Sequence, residues 1–188
     1  GLGQSAWGQQ LFAAAIAAGK RGVKLVIDAD ALNLLASRTD PAWSEISASC
    51  VITPHPGEAA RLLGCATADV EADRIAAVEE LARRYSCVAI LKGAGTLVAD
   101  WSGVVSVCAL GNPGMATAGM GDTLAGIVGS LVAQYEVNAH WVGRAVQLHA
   151  AAGDRVAARL GEVSLLAADV IDEIPAVLVG SAVTVDSQ

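Results

Sequence analysis

The sequence predicts an α/β domain in which helices cover both faces of a mostly parallel sheet, giving three αβα layers. Short apolar runs, typical of buried parallel strands, alternate with longer stretches of helical spacing. The chain has 188 residues, of which 54% are hydrophobic and 16% charged, so it can form one sizeable core. Because no internal repeat or low-complexity linker interrupts it, we expect residues 1–188 to form a single domain.

Five apolar runs are the candidate strands. The first three end at polar residues or proline, and the fourth follows a glycine-rich turn. The fifth follows the turn Trp101–Gly103 and is typical of an edge strand. The predicted strands are Val23–Ile27, Cys50–Thr53, Val88–Leu91, Thr96–Ala99 and Val104–Val107.

The remaining stretches have helical spacing of apolar residues. Gly19 and Gly22 are expected to end the first helix. Thr67 is expected to cap a long helix, with Asp69 favourably placed near its positive end. The predicted helices are Ala6–Gly19, Gly57–Leu63 ending at Gly64, Thr67–Tyr85, Thr123–Gln134, His140–Arg159 and Ala168–Val179, with a flexible tail over 180–188.

Composition excludes several classes of function. A net charge of -7 argues against a nucleic-acid partner, whose phosphates require a basic face. No stretch is long and apolar enough to cross a membrane, and no secretory signal opens the chain. The cysteines form no C-x-x-C pair and are interpreted as small buried hydrophobes in a reducing compartment, so we expect a cytoplasmic protein. They are Cys50, Cys65, Cys87 and Cys108.

Four polar or glycine-rich strings follow the predicted strands. They are Asp28–Asn33, Thr53–Glu58, Lys92–Thr96 and Gly111–Asp122. Each string could be a turn alone. Because ligands of open parallel sheets lie beyond the carboxyl ends of the strands, we expect the four strings to form one site.

The most informative string is Gly111–Asp122, which reads GNPGMATAGMGD. Its glycines allow a ligand to approach the backbone, and the helix that follows offers unpaired N–H groups to a phosphate. Because a carboxylate would repel phosphate, we interpret Asp122 as a base that accepts the proton of an attacking hydroxyl. Taken alone, Gly-x-Gly-Asp is more typical of an ordinary helix N-cap, and the other strings favour the base.

Together, DADALNLLA, VITPHPGEAARLLG, LKGAGT and GNPGMATAGMGD resemble the ADP-dependent NAD(P)H-hydrate dehydratase family. The resemblance runs over nearly the whole chain and implies a ribokinase-like αβα fold. The domain of that family begins before Gly1, so the N-terminal part of the domain is expected to be absent here. The natural protein is therefore expected to be longer and to carry an N-terminal NAD(P)H-hydrate epimerase domain.

The resemblance also implies a reaction. The family phosphorylates the 6-hydroxyl of hydrated NAD(P)H with ADP and then eliminates phosphate, releasing AMP and NAD(P)H. Mg²⁺ is the implied cofactor, ADP the co-substrate, and the assembly a homo-oligomer.

The implied roles fall on residues of the four strings and on Gly3. The catalytic base is Asp122, which together with Gly3 and His55 contacts the substrate; the nucleotide lies against Lys92, Gly93, Ala94, Gly95, Thr96 and Gly121; the phosphate loop is Gly119, Met120 and Gly121. Glu58 would position Mg²⁺ through water. Asp28, Asp30 and Asn33 receive no role, and His140 and His149 are interpreted as structural.

Two alternatives stay open. One is a ribokinase-like ATP-dependent kinase for a vitamin precursor or sugar alcohol, which would use the same Asp122 and glycine loop. The other is a nucleotide-binding fragment without catalysis. TPHPGE and DADALN favour the dehydratase, whereas the preferences for ADP over ATP and for NADH hydrate over NADPH hydrate stay open.

Overall fold

The computed structural model describes residues 3–37 and 43–182. Within this part of the chain, five strands form one sheet in the order β1-β2-β3-β4-β5. They are β1 (Leu25–Ile27), β2 (Cys50–Ile52), β3 (Val88–Leu91), β4 (Thr96–Ala99) and β5 (Val105–Cys108). All five predicted strands are confirmed, with small shifts at their ends, and β5 lies at an edge as expected.

The sheet is mostly parallel, as predicted. β1, β2 and β3 pair in parallel, and β4 is antiparallel to both of its neighbours, so β5 again runs in the direction of β1–β3. The reversal at β4 follows from the length of the connection. Only residues 92–95 separate β3 from β4, whereas a parallel crossover needs a dozen or more residues.

Helices precede, separate and follow the strands. They are α1 (Ala6–Gly19), α2 (Asp30–Ala36), α3 (Trp43–Ile46), α4 (Pro56–Leu63), α5 (Thr67–Ala72), α6 (Arg74–Tyr85), α7 (Met120–Gln134), α8 (Ala139–Leu160) and α9 (Ala167–Ala182). Helix α9 includes residues 180–182 of the predicted tail, and 183–188 lie outside the described residues. Helix α2 begins inside the string Asp28–Asn33.

The single helix predicted over Thr67–Tyr85 is wrong, because the chain breaks at Asp73. Asp73 has a φ of -144° and a ψ of 85°, and its side chain accepts the backbone N–H of Ala76 at 2.9 Å. It thereby caps a second helix, which is what an Asp side chain favours over continuing the first. Thr67 is the first helical residue, and Ala66 stands at the cap position before it.

The sheet separates two apolar cores, which confirms the three-layer αβα arrangement. Ile52 and Leu91 face a core built with α1, α2, α4 and α6. Val51 and Ile90 face a second core built with α7 and α8. Successive strand residues point to opposite faces of a sheet, so fully apolar strands can supply both cores.

The cysteines only partly match the prediction. Cys50, Cys87 and Cys108 are buried, but Cys65 is exposed because it lies just past the end of α4; all four thiols are free. Burial raises the pKa of Cys50 to about 12 and also raises that of Cys87, which makes both thiols inert. None of the helices in residues 3–37 and 43–182 is long and apolar enough to span a membrane.

Two local features of the fold lead to stability predictions. His149 on α8 is buried, its Nε2 has no hydrogen-bond partner among the described residues, and burial lowers its pKa to about 4. Ala29, between β1 and α2, has a φ of 51° and a ψ of -123°. L-residues rarely adopt such a backbone, so this position is strained.

We expect acid to destabilise the protein through His149. The unfolded imidazole binds a proton near its model value of 6.5, whereas the buried one resists protonation down to about 4. Stability from this group is therefore complete above that model value and falls by roughly 2 kcal/mol between about pH 7 and about pH 5. Urea unfolding of His149→Leu should show a smaller fall than wild type, and the exposed His140→Asn a wild-type fall. Equal falls in wild type and His149→Leu would contradict the assignment.

Ala29→Gly is expected to raise the free energy of unfolding by about 1 kcal/mol, because glycine adopts the observed backbone without a Cβ clash. The matched control is Ala31→Gly, two residues further on in α2. It should lower stability by about 1 kcal/mol, as glycine does in a helix. Urea titration measures both, and equal losses in the two variants would show that Ala29 is unstrained.

Candidate active site

The strings that follow β1, β2 and β3 lie together at the carboxyl edge of the sheet. Strand-like pairing continues past the strands: Thr53 N–H donates to the Ile27 carbonyl at 3.1 Å, and Lys92 N–H donates to the Pro54 carbonyl at 2.9 Å. These bonds fix the starts of the three strings side by side. The structure therefore brings the strings together as the parallel sheet predicts.

A largely buried charge cluster lies at this edge, in which Glu58 is buried and Asp28 and Lys92 are partly exposed. The Nζ of Lys92 is 2.8 Å from Oδ1 of Asp28 and 3.8 Å from Oε2 of Glu58. The side chains are 20%, 16% and 7% exposed, respectively, so the ammonium offsets two carboxylates that water reaches poorly. Asp28, which the sequence left without a role, is thus the ion-pair partner of Lys92.

His55 begins α4 and forms a reciprocal cap with Glu58. The His55 Nδ1 accepts the N–H groups of Gly57 at 3.0 Å and Glu58 at 3.3 Å, and Oε2 of Glu58 accepts the His55 N–H at 2.8 Å. Because Nδ1 is an acceptor, the neutral ring carries its proton on Nε2. Nε2 lies 3.5 Å from Oε1 of Glu58, and the His55 side chain is 52% exposed, so a ligand can approach this N–H.

The His55 ring explains on steric grounds why Gly57 is a glycine in the string TPHPGE. A Cβ built on Gly57 would lie 3.0 Å from Cε1 of His55. Any other residue would force the imidazole to shift by a few tenths of an ångström. The observed orientation of the ring therefore favours glycine at this position.

The turn Gly93–Gly95 leaves backbone open at the same edge. Gly93 has a φ of 142° and Gly95 a φ of 66°, and Ala94 between them is exposed. The Thr96 hydroxyl donates to the Gly93 carbonyl at 2.9 Å and so stabilises the turn itself. Glycines in these conformations allow an anion to approach backbone N–H groups.

Arg74 supports this turn from α6. Its Nη2 donates to the carbonyls of Leu91 at 3.4 Å and Lys92 at 3.3 Å. A Cβ on Gly93 would come within 3.0 Å of the guanidinium. Arg74 carries no motif in the sequence, and its position depends on the helix break at Asp73, so sequence reasoning missed it.

The loop Gly111–Asp122 reaches the charge cluster at the start of α7. A Cβ on Gly121 would lie 3.7 Å from Nζ of Lys92 and 3.8 Å from Oδ2 of Asp28. Gly119 has a φ of 88° and stands at the N-cap position of α7. Met120 is buried, so only its backbone can face a ligand.

Asp122 lies in the first turn of α7, where its carboxylate is exposed and has no hydrogen-bond partner among the described residues. Since Gly119 occupies the cap position, the interpretation of Asp122 as an ordinary N-cap is wrong. Asp122 lies at one end of a groove of about 670 Å³ between α7, α8 and α9. The groove is lined mainly by apolar side chains, including Ile127, Leu148 and Ile174. An unpartnered carboxylate can accept a proton from a ligand that reaches it.

Gly3 and Asp30 extend the site at the end of β1. The Gly3 N–H donates to Oδ2 of Asp30 at 2.8 Å, which gives Asp30 a role in holding this turn. Gly3 has a φ of 65°, and a Cβ there would meet no atom within 4 Å, so a ligand can approach. Asn33 lines a separate shallow cleft with Gln4 and Arg61.

The described residues contain no group of three or more His, Cys, Asp or Glu side chains that could hold a metal ion. Oε2 of Glu58 already accepts the His55 N–H, and Oε1 lies 3.5 Å from Nε2 of His55. A carboxylate held in this way can contact the water shell of Mg²⁺, a cation that commonly keeps several waters beside phosphates.

Asp154 on α8 is a second residue that sequence reasoning missed. Its Oδ2 accepts the Gly111 N–H and its Oδ1 accepts Nδ2 of Asn112, both at 2.9 Å. The sequence around Asp154 is rich in alanine and is typical of helix packing. The one sequence feature that could have drawn attention to Asp154 is a carboxylate within this stretch of small residues.

The chain is similar to three proteins whose names bear on this site. The bifunctional NAD(P)H-hydrate repair enzyme of Coxiella burnetii is 44% identical over 174 residues, which cover 93% of this chain and 34% of that protein. The ADP/ATP-dependent NAD(P)H-hydrate dehydratase of Bacillus subtilis, co-crystallised with ATP/Mg²⁺, has a TM-score of 0.73 at 32% identity, covering 81% of this chain and 53% of that one. A ribokinase-like superfamily protein from Enterococcus faecalis has a TM-score of 0.78 at 29% identity, covering 93% and 58%.

These similarities confirm the ribokinase-like fold. The chain spans about a third of the length of the bifunctional relative, 34% of it, and little more than half of either solved chain. A family model described as NAD(P)H-hydrate dehydratase matches residues 1–176, which is nearly the whole chain. The chain therefore belongs to the NAD(P)H-hydrate dehydratase family.

Proposed function

We propose that this chain catalyses the ADP-dependent dehydration of (6S)-NAD(P)H hydrate to NAD(P)H, with release of AMP and phosphate. The observation that carries the proposal is the close approach of the Gly121 backbone to the Lys92–Asp28 pair, whose charged atoms lie 3.7 and 3.8 Å from where a Cβ would stand, with Asp122 next in the chain. It combines an anion-binding backbone, a fixed cation and a base at one edge of the sheet. The family of the chain supports the choice of substrate.

The nucleotide would lie between Lys92–Thr96 and the phosphate loop Gly119–Gly121. Both segments contain glycines at positive φ, where backbone N–H groups are open to an anion. The ammonium of Lys92 carries three N–H groups, and among the described residues only Asp28 accepts one at hydrogen-bond distance. The other two are free to stabilise charge that develops on the transferred phosphoryl group.

Asp122 would start the reaction as a base. Its carboxylate accepts the proton of the 6-hydroxyl, whose oxygen attacks the terminal phosphorus of ADP while the bond from that phosphorus to AMP breaks. Phosphate is a better leaving group than hydroxide. The electron pair of the ring nitrogen then expels phosphate, and loss of the C5 proton restores the double bond of NAD(P)H.

His55, Gly3 and Glu58 complete the proposed site. The Nε2–H of His55 would donate to the hydrated nicotinamide, which the open approach at Gly3 admits. Mg²⁺, held by nucleotide phosphates and reached by Glu58 through water, would neutralise phosphate charge. The co-crystallisation of the Bacillus subtilis relative with ATP/Mg²⁺ supports a divalent cation.

Three wider proposals concern the whole protein. We propose an N-terminal NAD(P)H-hydrate epimerase domain, supported by the bifunctional name and greater length of the Coxiella burnetii relative. Exposed apolar residues on α9, including Ile171 and Leu178, support a homo-oligomer. Free thiols at all four cysteines support the cytoplasm.

The direct test incubates the full-length protein with hydrated NADH and either ADP or ATP. We expect the absorbance of NADH to return, with AMP and phosphate formed when ADP is used. Thermal stabilisation by ADP without turnover would instead favour a nucleotide-binding module. Turnover of a vitamin precursor or sugar alcohol with ATP alone would favour a kinase.

Asp122→Asn is expected to lower kcat by at least about 100-fold, since it removes the base but keeps the shape of the loop. Binding of ADP, measured by the shift in Tm, should be largely unchanged. The control is Asp172→Asn, which removes an exposed carboxylate of α9 and should leave turnover as in wild type. Wild-type turnover in Asp122→Asn would refute the assignment of the base.

A further inference from the structure

We propose that Asp154 is a positioning residue that holds the start of the loop Gly111–Asp122 from α8, and thereby keeps the phosphate loop Gly119–Gly121 in its ligand-binding conformation, an inference that rests on the proposed function. The residue lies 43 positions after Gly111 and belongs to the helical layer, not to the sheet edge that carries Asp28, Glu58 and Lys92. Among the described residues, the Asp154 carboxylate accepts hydrogen bonds from the loop and not from the charge cluster. Its influence on a ligand would act entirely through the loop.

Both oxygens of the Asp154 carboxylate are used on this loop. One accepts the Gly111 N–H and the other accepts Nδ2 of Asn112. Oδ1 of Asn112 then accepts the N–H of Gly114 at 3.1 Å. A charged acceptor with two donors fixes both the direction and the register of the loop as it leaves β5.

Glycines let the loop lie closely on the surface that Asp154 anchors. A Cβ on Gly153 would overlap the sulfur of Met115, and a Cβ on Gly114 would overlap the backbone of Glu162. Gly111 has a φ of 108°, a conformation open mainly to glycine. The first half of the loop is therefore shaped by α8 and by the short turn Glu162–Ser164.

The apolar anchoring of the loop consists of Met115, which is partly buried against the cluster that contains Met120 and Val156. Between Ala109 and Gly119 no side chain is fully buried, in contrast to Met120 at the start of α7. Without the Asp154 bonds, the segment would adopt other conformations, and ADP binding would have to order it. Affinity falls in proportion to the fraction of molecules in the competent conformation, so an anchor outside the site controls nucleotide affinity.

The test compares Asp154→Asn with the double variant Asn112→Asp/Asp154→Asn. In Asp154→Asn, the new side-chain amide nitrogen faces either the Gly111 N–H or Nδ2 of Asn112. Two donors then face each other, so one hydrogen bond is lost. In the double variant the new amide on α8 can donate to the new carboxylate of the loop and still accept the Gly111 N–H. That carboxylate also accepts the Gly114 N–H, so every bond is restored with the charge moved. Asp172→Asn, exposed on α9, controls for the loss of a carboxylate.

In Asp154→Asn we expect KM and Kd for ADP to rise about tenfold, which corresponds to one charged hydrogen bond. kcat should stay within about threefold of wild type, because bound nucleotide reorders the loop. Amide hydrogen exchange should become faster at Gly111 and Gly114 and stay unchanged in β1–β3. The double variant should recover all three properties, which a role in stability alone would not produce.

Wild-type Kd and exchange in Asp154→Asn would overturn the proposal. So would a double variant that stays as weak as the single variant. Failure of the wild-type protein to restore NADH would overturn the proposed dehydration alone, since ADP affinity and amide exchange still report on Asp154. Wild-type protein that binds no ADP would remove both proposals.

Discussion

The arrangement of this site depends on the ionic interaction of the Lys92 ammonium with the carboxylates of Asp28 and Glu58. Parallel pairing of β1 and β2 delivers Asp28 and Glu58 to the same edge of the sheet. Two poorly solvated carboxylates so placed would repel each other. The end of β3 supplies the compensating charge, 2.8 Å from one carboxylate and 3.8 Å from the other. The ends of the three strands can therefore lie side by side. Their positions in turn determine where the backbone of His55 and Gly93 lies.

The other half of the site comes from a different layer. Loop Gly111–Asp122 leaves β5, rests on α8 through Asp154, and enters α7, whose buried apolar residues from Leu124 onward belong to the second core. The nucleotide would thus lie between segments positioned by the sheet and a loop positioned by helix packing. Their meeting point is Gly121, which has no Cβ to separate the loop from Lys92 and Asp28.

Local sequence patterns predicted much of the fold and of the candidate site. The features that they missed share one cause. Apolar runs located all five strands, and the polar strings located the site edge, because both signals lie in short segments. The helix break at Asp73 and the roles of Arg74 and Asp154 depend on partners elsewhere in the chain. Asp28 is the clearest case: it lies in a recognised string, yet its role is defined by Lys92, 64 residues away.

The antiparallel course of β4 has a consequence for how this chain tolerates insertions and deletions. Lys92 and the glycines of the next turn fill the short connection between β3 and β4, so one added residue would shift either the lysine or the register of β4. The turn Trp101–Gly103 at the opposite end of the same strand is exposed and lies away from these groups. Length variation among natural forms of this chain should therefore concentrate there.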